Sequence, residues 1–342
     1  MAPSPAAPDL LTAYAAAQAA LARVEERGKL SPVRGPWRTR TALAERQALA
    51  AADAVDWSVD NVKIDARGRL VPSAYDLTHW KQAIGAPITL ATLAQDPAAL
   101  LAWLGADQPR AYDAWAAPLE RDPDARLAAV ARWQQACRAL PPAPPLLHAA
   151  RLAALWRQHA PLGKGDRVAS LLIGDRWGAG RWRGSQGGLT ALGLQHGGAA
   201  WTIAQGAALD RLWLEAIAAG AAAHCESETR LRGYAQRAGQ VFDRRRRLGR
   251  LKEVIWLAMA RPFVTSAQVA HALGLTSAGA IKLLTIAVDE GLLLERTGQA
   301  SYRSYAIPVT APSPTPRRGL VDPFAPDFWA REGEMEGRSE PL

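Results

Sequence analysis

Two cysteines, Cys137 and Cys225, are all that this 342-residue chain contains, too few for a disulfide framework or a zinc cage. Histidine is equally thin. His79, His148, His196, His224 and His271 are scattered without ligand spacing, and His224 beside Cys225 has no further His or Cys near it. Neither a metal site nor another cofactor is therefore expected. Long apolar runs are missing too: Ala- and Leu-rich segments are broken by Arg, Gln, Asp or Glu before reaching the roughly 20 residues that span a bilayer. The opening MAPSPAAPDL lacks a basic region followed by a hydrophobic core, so a secretory leader is not expected. Gly163 and Lys164 lack the upstream glycine and the Ser or Thr of a phosphate-binding P-loop. Ser and Cys nucleophile arrangements are absent as well. These absences together leave a cytoplasmic protein without membrane contact as the default.

What the chain does contain suits a buried core, with 49% hydrophobic and 21% charged residues, enough for one larger domain and a small one. Leu10, Tyr14, Ala17, Leu21 and Val24 recur at helical spacing and predict a first helix ending near Gly28. A second is expected from Thr41 through Ala54. Val62, Ile64, Leu70 and Val71 flank a polar turn, Asp65 to Gly68, and predict a small hairpin before helix resumes at Tyr75. Further helices fit Pro97 to Leu104, Tyr112 to Leu119, Asp124 to Ala139 and Leu146 to His159, with prolines at 141, 142, 144 and 145 as punctuation. From Val309 the chain is Pro-rich and then acidic, and is expected to be disordered outside the aromatic cluster Phe324, Phe328 and Trp329.

Residues 265–307 carry the clearest local pattern. Thr265 is expected to cap a helix bearing Val269 and Leu273, and Gly274 to end it in the left-handed conformation. Thr276 then caps a second helix with Ile281, Leu284 and Val288 inward, and Ser277, Lys282 and Thr285 outward. Gly291 stops it. Leu292 to Glu295 and Tyr302 to Ile307 read as two strands around Thr297, Gly298 and Gln299, forming a wing that bears Arg296 and Arg303. This order is that of a winged helix-turn-helix, whose second helix lies in the major groove of duplex DNA. Here that helix has only Lys282 as an outward charge before Asp289, and no Arg, Asn or Gln for bidentate base contacts. Docking of another protein therefore stays open beside DNA binding.

Upstream, residues 230–252 hold nine Arg or Lys against the single acid Asp243, a net +8 of the chain's formal +9. Arg244, Arg245, Arg246, Arg247 and Arg250 are expected on a helix entering the winged module, where they would attract a polyanion with strong salt dependence. Thirteen tryptophans are also many for this length. Three of them, Trp177, Trp182 and Trp201, flank a glycine-rich stretch, Gly174 to Gly188, expected to be a long loop. With Arg176, Arg181 and Arg183 these indoles could stack on and neutralise nucleic acid or a nucleotide. Equally, they could plug the loop onto a helical core.

The segment HAPLGKGDRVASLL, His159 to Leu172, resembles the Fic motif, His-Pro-Phe-x-Asp/Glu-Gly-Asn-Gly-Arg at a helix-to-helix junction. In Fic proteins the His removes a target hydroxyl's proton, the glycine loop cradles phosphates, the acid holds a metal and the Arg neutralises phosphate. The resemblance assigns His159 as base, with Gly163, Gly165 and Arg167 on the nucleotide. Departures are serious: Ala160 and Pro161 replace Pro-Phe, Gly163 stands at the acid's position, and Asp166 replaces the second glycine. An Asp before a helix tends to fill the phosphate's place with its own carboxylate.

The chain also resembles a bacterial family that joins a domain of unknown function to a C-terminal helix-turn-helix domain. That resemblance rests on PLGKGDRVASLLIGDRWG (Pro161 to Gly178), the arginine-rich segment and TSAQVAHALGLTSAGAIKLL. It implies a two-domain, mostly helical protein with a DNA-binding end and brings no established activity. The chain is therefore expected to be mostly α, with a helical, Fic-resembling domain at 8–228, an arginine-rich connecting helix at 229–252, a winged helix-turn-helix at 253–308 and a disordered tail at 309–342. Double-stranded DNA is the expected partner and transcriptional regulation the expected role, with a homodimer left open. The alternatives are a Fic-like nucleotide (AMP) transferase acting on protein hydroxyls, and an inactive Fic-like interaction protein.

Overall fold

The computed structural model describes residues 7–52, 63–64, 70–71, 95–105, 123–162, 166–177, 184–197, 204–244, 249–296 and 303–309. The chain divides into two units, Met1–Pro308 and Val309–Leu342, and every described helix and strand belongs to the first. The predicted tail beyond Val309, the helices expected at Tyr75 and from Tyr112 to Leu119, and the hairpin turn lie outside the described residues. The protein is mostly helical.

Helix α1 (Ala7–Leu30) buries Ala17, Leu21 and Val24, the stripe expected from their spacing. It runs past Gly28, which lies buried within it and whose carbonyl accepts from Arg38. Helix α2 (Arg34–Ala52) begins well before Thr41, because Pro36 falls in its first turn, where a missing N–H costs nothing. The hairpin exists as β1 (Lys63–Ile64) antiparallel to β2 (Leu70–Val71). Helices α3 (Pro97–Trp103), α4 (Pro123–Arg138) and α5 (Pro145–His159) lie within a residue of their expected limits. Then come α6 (Asp166–Trp177), α7 (Leu189–Gly197) and the 39-residue α8 (Gly206–Arg244).

Helix α8 is the spine. Helices α1, α5 and α7 all pack on it, and α5 pairs with α6. Trp37, Trp133, Trp156 and Trp213 are fully buried, so much of the tryptophan richness is core. Three of their polar edges are matched. Trp133 donates to the Leu152 carbonyl at 3.2 Å, Trp37 to that of His224 at 2.9 Å, and Trp156 to Asp166 Oδ1 at 2.8 Å. Trp133 and Trp156 meet edge to face, with ring centres 5.1 Å apart.

The glycine-rich stretch is not one long loop, because its start forms the last turn of α6 and its end leads directly into α7. Its outer glycines are packing residues. A Cβ at Gly174 would enter the Trp213 ring, and one at Gly188 would come within 2.5 Å of the Glu45 carbonyl oxygen. Gly193 and Gly220 likewise let α7 and α8 touch backbone to backbone. Residues 178–183 and 201, with Arg181, Arg183, Trp182 and Trp201, lie outside the described residues.

After α8 the chain forms α9 (Leu251–Ala260), β3 (Val264–Thr265), α10 (Ser266–Leu273), α11 (Ser277–Asp289), β4 (Leu294–Glu295) and β5 (Ser304–Ala306). The strands make one antiparallel sheet in the order β3-β5-β4, pairing Val264 with Tyr305 and Glu295 with Tyr305 from either side. Val254, Ile255, Ala258, Val269, Leu284 and Leu293 fill the space between helices and sheet.

Two long-range contacts hold this C-terminal part to the helices before it. Arg40 of α2 donates from Nε to the Met259 carbonyl and from Nη2 to the Arg261 carbonyl, both at 2.6 Å. A cation thus answers the free carbonyls at the end of α9, where a helix C-terminus is negative. Burial pushes the Arg40 guanidinium down to about 10, with Tyr234 acting the other way, so it keeps its charge at neutral pH. Buried Tyr234 of α8 donates its hydroxyl to the Leu292 carbonyl at 2.7 Å. Tyr234→Phe is expected to lower stability by about 1–2 kcal/mol by leaving that carbonyl unpaired. Denaturant unfolding of the variant measures this, and an unchanged midpoint would show that the bond contributes nothing.

Candidate nucleic-acid interface

The expected caps of the 265–291 segment all occur. The Thr265 hydroxyl accepts from Gln268 N at 3.3 Å, and Gln268 Oε1 accepts from Thr265 N at 3.1 Å, a reciprocal capping box. Gly274 takes φ +60° and ends α10, and Thr276 accepts from Gly279 N at 3.1 Å to start α11. Gly291, at φ +68°, follows the end of α11. Across the short turn from Gly274 to Thr276 the chain bends by 114°.

Helix α11 buries Ala280, Leu284 and Ala287, a stripe stepping by three and four. Ser277, Lys282 and Thr285 are exposed, as their spacing predicts. Ile281 departs from expectation: it is 50% exposed rather than inward. Being one residue beyond Ala280, it is turned about 100° from the buried stripe. The Thr285 hydroxyl donates to the Ile281 carbonyl at 3.1 Å, so it is turned back onto the helix.

The arginine-rich segment is organised differently from a separate connecting helix at 229–252. Residues up to Arg244 continue α8, the core spine, without a break at 228. Gly249, at φ +51°, lies between α8 and α9, and Arg250 is the residue preceding α9. Residues 245–248, including Arg245, Arg246 and Arg247, lie outside the described residues. Some of the charge is matched by acids flanking the 230–252 count: Arg230 pairs with Glu226, Arg232 with Glu228 at 3.8 Å, and Arg250 with Glu253. Lys252 stands over the Phe242 ring, 5.7 Å from its centre. Arg244 is exposed at the end of α8.

Arg250 makes a further contact that the sequence does not suggest. Its Nη1 donates to the carbonyl of Leu273, the last residue of α10. Arg250 is thereby tied to the C-terminal end of α10, next to the turn that leads into α11. Near the other end of the module, Arg296 N donates to the Ser304 carbonyl at 2.8 Å, and Arg303 Nε lies 3.5 Å from Glu295. Both arginines are exposed, and Thr297, Gly298 and Gln299 lie outside the described residues.

At the junction resembling the Fic motif, His159 closes α5, and Ala160 turns the chain through a left-handed φ of +41°. Burial first, and the Arg132 charge second, lower the His159 imidazole from its ordinary value. Gly163 and Gly165 lie outside the described residues, and Arg167 is exposed in the first turn of α6. Asp166 is buried. Its Oδ1 accepts from the Trp156 indole at 2.8 Å and from Leu162 N at 3.0 Å, upstream of its own helix. This carboxylate ties the end of α5 to the start of α6, which is a fastening role. The bonds oppose the strain of a left-handed alanine, of order 1–2 kcal/mol.

A polar centre missed by sequence reading lies deeper. Glu45 of α2, wholly buried, accepts at Oε2 from Ser185 Oγ at 3.0 Å, Gln186 N at 2.5 Å and Gly188 N at 3.1 Å. Its Oε1 lies 2.9 Å from buried His224 Nε2. The carboxylate stands between serine and histidine rather than behind the histidine, so the trio cannot relay a proton from Ser185 through His224. It instead joins α2, the turn before α7 and α8. The available signal was positional: Glu45 falls on the stripe Trp37, Thr41 and Leu49, and His224 on the stripe Ile217, Ala221 and Leu231.

Among the described residues no three His, Cys, Asp or Glu side chains gather as a metal would require, and no single helix is long and apolar enough to cross a membrane. Compared with known protein families the chain matches none, and no curated protein matches it.

Proposed function

We propose that this is a DNA-binding regulator of the bacterial two-domain kind, in which 253–308 acts as a winged helix-turn-helix and α11 enters the major groove. The observation that carries the reading is the bond from Arg250 to the Leu273 carbonyl, which holds this cation beside the turn leading into α11. Arg244, at the end of α8, is exposed too, and in sequence the arginine run lies between it and Arg250. The bend of 114° between α10 and α11 suits a helix-turn-helix, where the two helices cross at about 90–120°. The sheet order β3-β5-β4 leaves Arg296 and Arg303 on the hairpin that would form the wing.

In this arrangement the arginines hold phosphates and α11 faces base edges. Cytoplasmic double-stranded DNA is the partner, and the helical part up to α8 carries the module on a rigid spine through Arg40 and Tyr234. Titrating full-length protein into labelled random-sequence duplexes of about 25 base pairs, followed by anisotropy at several salt concentrations, tests the reading. Binding is expected, with affinity falling steeply and linearly in log–log form as salt rises. No binding at low salt and micromolar protein would sink it.

A further inference from the structure

Helix α11 offers an unusual surface to a base edge. Its outward face consists of Ser277, Ala278, Ile281, Lys282, Thr285 and, in its last turn, Asp289, all exposed. Ile281 is the odd member, a large aliphatic side chain half in solvent on a helix whose neighbouring stripe is completely buried. Thr285, one turn further on, donates its hydroxyl proton to the Ile281 carbonyl, which leaves a methyl group and an acceptor oxygen for recognition. The only cation on this face is Lys282, which contacts a guanine or a phosphate as a point charge and lacks the fork of an arginine.

Resting on the DNA-binding reading above, we infer that α11 selects its site by apolar contact with thymine methyl groups, with Ile281 as the principal specificity-determining residue. The C5-methyl of thymine is the apolar group that the four base pairs display on the major-groove floor. Ala278, Ile281 and Thr285 form a methyl-bearing row along one helical edge, stepping by three and four. Cytosine at the same place has a hydrogen where thymine has its C5-methyl, so Ile281 would lose that contact and C·G pairs are disfavoured there. Charge complementarity supports DNA as the occupant of this half-apolar face. Arg250, three residues after the arginine run in sequence, is bonded to Leu273, just before the turn that leads into this helix. Affinity then comes mainly from phosphates, and sequence preference from methyl groups.

The test uses full-length protein and a duplex enriched by selection from a random pool. Each thymine is replaced in turn by uracil, which differs only in lacking the methyl group. At the one or two positions facing Ile281, uracil is expected to weaken binding about fourfold, the effect of one buried methyl-sized group. Ile281→Ala should abolish the thymine-over-uracil difference while leaving the salt dependence unchanged. Its half-exposed site makes loss of folding by this variant unexpected, and the uracil series on the wild-type protein needs no variant at all. Ile281→Asn should shift the preferred base from thymine to adenine, since Asn pairs with the adenine N6 and N7 edge. Tight, salt-dependent binding that tolerates uracil at every position, or that enriches no sequence, overturns this inference and leaves the DNA-binding reading standing. Thymine discrimination that persists in Ile281→Ala overturns the role of Ile281. Failure to bind any duplex at low salt removes the reading on which the inference rests.

Discussion

Replacing Gly193 by alanine is expected to destabilise the protein by about 3 kcal/mol, a large share of a typical domain's total. The added methyl carbon would overlap the carbonyl oxygen of Ala216 in α8, closer than any real methyl carbon approaches an oxygen. That oxygen belongs to helix backbone and cannot swing aside. Helix α7 would have to lift from α8, opening the packing around Leu189, Leu192 and Leu214, all buried. Gly220→Ala meets the Leu189 carbonyl from the other side and should act similarly. Gly239, on the same α8, is the control, because nothing lies within 4 Å of a Cβ placed there. Gly239→Ala should raise stability by about 0.5–1 kcal/mol through helix propensity alone. Denaturant unfolding of the three variants checks the contrast. A Gly193→Ala protein as stable as wild type would mean that α7 does not lie on α8 in this way.

Simultaneous replacement of Arg244, Arg245, Arg246 and Arg247 by alanine is expected to give the largest loss of DNA affinity, uniform across sequences. Each phosphate contact adds about 0.9 to the log–log salt slope, so losing four flattens it by close to 4. Between about 50 and 200 mM salt, the wild-type protein should then lose about a hundredfold more affinity than the variant. Lys282→Ala behaves differently: it lies on the helix facing base edges and should alter preference among sites more than the slope. Arg250 is excluded from the quadruple change because its guanidinium already holds Glu253 and the Leu273 carbonyl. Its removal would confound a lost phosphate contact with a displaced segment. A quadruple variant with wild-type affinity and slope would rule out this arginine run as a phosphate-binding element.

The elements around α10 and α11 were legible because their determinants are local. Thr265 finds its partner at Gln268, Thr276 at Gly279, and Gly274 and Gly291 meet a backbone requirement at their own positions. The limits of α3, α4 and α5 were readable to within a residue for the same reason, and the prolines at 141, 142, 144 and 145 separated α4 from α5. The candidate interface was readable only in part. Spacing assigned Ser277, Lys282 and Thr285 to the outward face, but Ile281 was drawn to the wrong side by its hydrophobicity. A stripe can be satisfied by the smaller Ala280 and Ala287, and only packing against α9 and α10 reveals which set is used.

Composition and short-range pattern determined that this protein would be mostly helical, where its C-terminal helices begin and end, and that its positive charge would gather ahead of them. Tertiary structure alone decided what those charges and carboxylates do. Glu45 meets Ser185 and His224 across 140 and 179 residues, and Arg40 reaches the end of α9 across 219. A carboxylate or guanidinium on a helix reads as solvent-facing until distant backbone donors or carbonyls arrive to replace water. Burying such a group is favourable only once those partners are in place, and no window of local sequence contains them.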